Sequence, residues 1–180
     1  MRIKLFLLCI LLLNCCITLH AQQQQLDSLF YGLKNHPQQD SVRLILFCRI
    51  GKYYFDNDRS KLFQYEDSAY ILASKLHDLY WMANACNGIG GSYVFKGDYS
   101  LALTWFEKAL DLSEQSGSER RISQSKTNIA AVKNVLGDFN DALTYLQNAL
   151  SNAIASKQKD EIASCLGNIS GLYGEQHNYP

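Results

Sequence analysis

The chain has 180 residues, 47% of them hydrophobic and 19% charged, a globular composition that supplies one domain with a core and excludes a disordered polar chain. Lys plus Arg number 17, as do Asp plus Glu, so no broad basic field is present to attract nucleic acid or anionic lipid. Only Pro37 and Pro180 are prolines, and nothing between them forbids long helices.

Residues 1–21 differ from the rest. Arg2 and Lys4 precede an apolar run from Leu5 to Leu13, and short uncharged residues lead to His20-Ala21. This is the pattern of a secretory leader cleaved after Ala21, and it places the mature chain outside the cytoplasm, in the periplasm or at a membrane. The run is shorter than the roughly 20 apolar residues a membrane span requires, although an uncleaved anchor is the rival reading. A third reading makes Cys15 or Cys16 a lipidated first residue. Cleavage leaves Cys48, Cys86 and Cys165, an odd number at wide spacing. With no C-x-x-C pair and no clustered carboxylates, they read as small buried helix residues and not as a metal or redox site.

Residues 22–39 open with the polar tract Gln22 to Gln25. Leu26, Leu29, Phe30 and Leu33 then form a short amphipathic stripe that ends near Asn35-His36-Pro37, as expected of a helix that caps an array beginning at residue 40.

From residue 40 onward the chain repeats. Gly97-Asp98-Tyr99, Gly137-Asp138-Phe139 and His177-Asn178-Tyr179 recur 40 residues apart, and the same step links Ala69, Ala109 and Ala149, and Ile89, Ile129 and Ile169. Four units are expected, at about 41–78, 79–118, 119–158 and an incomplete 159–180. In the second, Leu101, Ala102, Trp105, Phe106, Ala109, Leu110 and Leu112 make a helical stripe. Gly97-Asp98 breaks the preceding helix, and Asp98 is placed to cap the next. Each unit is thus a pair of antiparallel helices, with Trp105, Phe106, Tyr145 and Leu146 expected to fill space beside Gly90, Ala130, Ala102 and Ala142. The first unit keeps Ile50-Gly51, Tyr54 and Ala69 but runs one residue out of phase, with Asp56-Asn57-Asp58 at its turn. The fourth stops before a second helix, so the chain reads as cut short.

The chain resembles the tetratricopeptide repeat family. Ile89-Gly90, Tyr93, Gly97-Asp98-Tyr99, Ala102, Phe106 and Ala109-Leu110 match that family's signature in one unit. Ile129-Ala130, Gly137-Asp138-Phe139, Ala142, Leu146 and Ala149-Leu150 match it in the next, with Lys133 replacing the aromatic residue of the first helix. The period of 40 fits a longer-helix variety. The resemblance implies an all-α fold, a right-handed α-solenoid of helix-turn-helix repeats, and a concave face built from the first helix of every pair.

No nucleophile, general base or cofactor loop is visible, so the expectation is no enzyme, no cofactor and no metal. Gly88 to Gly91 lies within a helix and lacks the phosphate-loop pattern. His36, His77 and His177 fall near helix ends, where helix-end contacts or solvation suit them. Asn168-Ile169-Ser170 matches a glycosylation acceptor, but it sits mid-helix. By the family's pattern the groove positions are Arg49, Lys52 and Phe55, then Asn84, Asn87 and Val94, then Gln124, Thr127, Asn128 and Asn134, then Asn168. Asparagine amides donate and accept, so a row of them can bond the backbone of an extended peptide. The same amides can instead bond between adjacent helices. Arg49 and Lys52 could supply a cationic end for a carboxylate. The expected partner is therefore a protein or extended peptide and no nucleic acid, with membrane contact only through an uncleaved leader or a further C-terminal segment. The alternative is the sensory N-terminal region of a membrane-bound histidine kinase or transcriptional regulator.

Overall fold

A computed structural model describes residues 20–177, with side chains as far as residue 174. The leader-like run, Cys9, Cys15 and Cys16, and the closing Asn178-Tyr179-Pro180 lie outside the described residues. Every regular element within them is helical. Helix α1 spans residues 20–35 and is followed by α2 (Ser41–Asp56), a 3-10 turn (Arg59–Lys61), α3 (Leu62–Lys75), α4 (Leu79–Lys96), α5 (Tyr99–Gln115), α6 (Glu119–Val135), α7 (Phe139–Ala155) and α8 (Lys159–His177). No helix among the described residues is long and apolar enough to cross a membrane.

Local chemistry sets the helix ends. Asp40, Asp78, Asp98 and Ser118 each accept a backbone N–H of the first turn of the helix they precede, satisfying donors with no partner inside the helix. Between helices the backbone turns through the left-handed region at residues 77, 97, 117, 137 and 157, two interleaved series with a step of 40. Gly97, Gly117 and Gly137 do so with φ of 76°, 65° and 86°, whereas His77 and Lys157 do so with side chains, at φ 54° and 58°. The first unit departs here: Asn57 ends α2 at φ −121°, and the 3-10 turn, capped by Asp58, carries the chain into α3. That turn is where the one-residue phase difference of the first unit is taken up.

Packing follows the alternation of small and large residues. Phe106 fills the space a side chain at Gly90 would need and joins Ala102, Ile129 and Val132 in one buried cluster. Leu146 packs with Ala130, Ala142 and Leu172 in the equivalent cluster further on. Trp105 faces the other way: it meets the Tyr70 ring edge-on at 5.8 Å, packing against Ala83, Cys86, Ala109 and Leu112 and so tying its unit to the preceding one. Leu26 of α1 is buried with Ile50, Tyr54 and Leu62, which makes α1 a cover for the first pair. Each helix pair thus completes its neighbour's core, the physical basis of a solenoid.

Candidate functional site

The first helices of successive pairs touch one another: α2 meets α4, α4 meets α6 and α6 meets α8. The second helices make no comparable row among the described residues, so they fan outward and the first helices line the inner face. Across α4 and α6 this face carries a built polar network. Asn128 donates from Nδ2 to Asn87 Oδ1 at 2.9 Å, and Asn87 donates from Nδ2 to Ser125 Oγ at 3.0 Å. Asn87 and Ser125 are buried, so these bonds form away from competing water and hold the two helices in register.

The remaining predicted groove residues divide. Gln124 accepts from Arg121 Nη1 at 2.7 Å. Thr127 donates to the Ser123 carbonyl at 2.9 Å and lies 3.8 Å from the Cys165 thiol of α8. Asn84 is half-buried on α4, near enough to the Cys48 thiol of α2 to offset part of the effect of that thiol's burial. Asn134 is half-buried in the last turn of α6, and Asn168 is exposed on α8. Arg49 and Lys52 do not join this group: with Gln25, Ser28, Leu29 and Tyr53 they line a shallow cleft between α1 and α2, and Lys52 is paired with Asp56 at 3.0 Å. Phe55 remains on the inner face, 45% exposed, its ring seated against Gly91 and 5.3 Å from that of Phe95.

Two residues that the groove pattern does not pick out dominate the electrostatics. Arg121 sits at the α4–α6 edge, its guanidinium 4.5 Å from the centre of the Tyr80 ring and bonded to the Tyr80 hydroxyl at 3.1 Å. Glu66 comes from α3, a second helix, and is 5% exposed. Its side chain reaches forward between α2 and α4, into the space that Gly51 and Gly88 leave by having no side chains. Burial pushes the Glu66 carboxyl up to about 8, against the pull of Arg121. Burial also pushes the Cys48 thiol up to about 12, with Glu66 adding to the rise. A signal for Glu66 exists in the sequence, because the step of 40 aligns it with Phe106 and Leu146 and makes it the acid in a series of core residues. Among the described residues no three metal-binding side chains gather.

Residues 83–116 match the family model for the tetratricopeptide repeat. No curated protein matches the chain. Among solved structures the chain is similar to BtubC (BKLC) from P. vanneervenii, with a TM-score of 0.70 and 20% identity over 88% of this chain and 68% of that one. It is also similar to a Rap protein complexed with Competence and Sporulation Factor, with a TM-score of 0.67 and 18% identity over 80% of this chain and 39% of that one. The TPR domain of Arabidopsis FLU aligns with a TM-score of 0.57 and 24% identity over 62% of this chain and 95% of the domain. The chain thus spans well under half the length of the Rap structure it matches. These matches and the observed helix pairs together place a tetratricopeptide repeat at residues 83–116 within an all-α solenoid of tetratricopeptide-type repeats.

Proposed function

We propose that this protein is a non-catalytic scaffold that holds an extended peptide or a segment of a partner protein along its inner helix face. The observation that carries the reading is the continuous polar strip across that face. Asn84, Gln124, Asn128 and Asn168 stand on three successive first helices, and the Asn128–Asn87–Ser125 bonds hold the strip in place before any ligand arrives. Preorganised amides lose little freedom on binding, which favours recognition of a backbone with its own donors and acceptors. The similar Rap structure was solved with Competence and Sporulation Factor, which supports a binding role for a solenoid of this shape.

The test is selection of peptides from a random display library on the full chain, followed by affinity measurements on variants. Asn84→Trp and Asn168→Trp, both on the inner face, should each weaken the selected peptides at least tenfold while the helical circular dichroism persists. Thr144→Trp, on the exposed outer surface of α7, should leave affinity unchanged. Equal losses from all three variants, or from none, would overturn the reading.

A further inference from the structure

Glu66 is not accounted for by packing. Leu26, Glu66, Phe106 and Leu146 follow one another at steps of 40 and all are buried. The other three fill their places with apolar carbon, whereas Glu66 brings a carboxyl whose Oε2 is buried without a hydrogen-bond partner. Burying an acceptor in that state is unfavourable, and a leucine would fill the same volume without the penalty. The carboxyl occupies the slot vacated at Gly88. At the same position of the repeat α6 carries Asn128 and α8 carries Asn168. The first complete unit therefore supplies from behind, through a gap between two glycines, the polar group that later units supply from the inner face itself.

The surroundings indicate which chemistry suits that carboxyl. From α2 it is faced by the Cys48 thiol and the bare Gly51 backbone, from α4 by the bare Gly88 backbone, and from α6 by the more distant Arg121. Arg121 is already engaged by Tyr80 and Gln124. In the 3-10 turn Lys61 lies 5.9 Å from the Tyr54 ring, and Arg59 lies 3.8 Å from the centre of the Phe95 ring. One turn along α4 from Gly88, the Phe55 ring lies over Gly91 and beside Phe95, and the Phe95 ring already holds the Arg59 guanidinium. A carboxyl with an aromatic ring one helical turn away is a combination that accepts an ammonium or guanidinium together with its aliphatic stem.

We propose that Glu66, reached through the gap at Gly88 with the Phe55 ring one turn further along α4, is a subsite for a lysine or arginine side chain of the bound segment. The inference rests on the inner-face binding role. It has a thermodynamic signature. The carboxyl, raised to about 8 in the free protein, carries a proton at neutral pH, and a bound cation stabilises the ionised form. Binding therefore expels that proton, and affinity rises about tenfold per pH unit up to pH 8 and levels off above it.

The experiment is calorimetry on the full chain with capped heptapeptides of alanine and glycine bearing one central lysine, arginine or norleucine. The basic peptides should bind more tightly by about tenfold per pH unit from pH 6 to pH 8 and release about one proton at pH 7, read from two buffers of different ionisation enthalpy. The norleucine peptide should show neither effect. Glu66→Gln should flatten the pH profile and weaken the basic peptides at least tenfold at pH 8. A carbon-13 titration of the wild-type Glu66 carboxyl, whose midpoint should fall on adding the lysine peptide, gives the same information without a variant. Equal binding of all three peptides at every pH would overturn the subsite and leave the inner-face reading standing. The subsite alone also falls if the basic probes fail to bind while display-selected peptides still do; failure of both kinds of peptide overturns both readings.

Discussion

Replacing Glu66 by leucine separates what this residue does for stability from what it does for binding. In the folded chain its carboxyl titrates near 8, against an ordinary value of 4.5, so the native state holds the proton more tightly than the unfolded state does. Stability is therefore full below pH 4.5, falls as pH rises towards 8, and is level beyond it; the fall approaches a limiting slope of about 1.4 kcal/mol per pH unit. Glu66→Leu, which copies the residue at 146, should remove that slope and raise the melting temperature above neutral pH. Denaturant titrations of wild type and variant at pH 5 and pH 8 measure the difference. A variant equally destabilised at both would show that the carboxyl is not held neutral by burial. Asn87 is the complementary case, a polar group buried with both kinds of bond made, so it stabilises the α4–α6 contact instead of straining it. The sequence places Asn87 and Asn128 on one helix face each, but helical periodicity fixes direction and not depth. It therefore leaves open whether an amide meets a ligand or a neighbouring helix.

At the scale of elements, the turns show how much of the architecture can be read in advance. Glycine at 97 and 137 signals the end of a first helix, because a left-handed residue without a Cβ is unstrained there. The turns between units use the same conformation at His77, Gly117 and Lys157, but two of these three residues are not glycine and give no such signal. Their strain can be relieved: His77→Gly and Lys157→Gly should each stabilise the fold by about 1 kcal/mol, since a side chain in the left-handed region costs roughly that much. Gly117→Ala should cost a similar amount. Midpoints of urea unfolding decide the matter, and a loss of stability in both glycine variants would refute it. The direction of Trp105 was likewise hidden, because a stripe at helical spacing identifies an apolar face without saying which neighbour covers it. Arg49 and Lys52 stand apart from the other groove positions for another reason: α1 offers them a cleft of its own.

The whole molecule is a line of contacts between neighbours in the chain, each helix packing chiefly on the one before and the one after. Such an array can open tier by tier, with the ends loosening before the middle. The repeat and the pairing of helices were legible because they are written in the spacing of glycines and alanines. The curvature that brings first helices together, and the insertion of an acid from a second helix between two first helices, arise only when the tiers stack.

Cys48, Cys86 and Cys165 are buried free thiols on α2, α4 and α8, and burial raises all three above the ordinary thiol range. While the array is closed, the reactive thiolate is scarce and shielded at every one of these places. Three separate tiers thus contain a chemical timer that starts only when its own tier parts. A short pulse of iodoacetamide in mild urea, read by mass spectrometry, should mark Cys165 first and Cys86 last; a single common rate for the three would mean that the tiers open together.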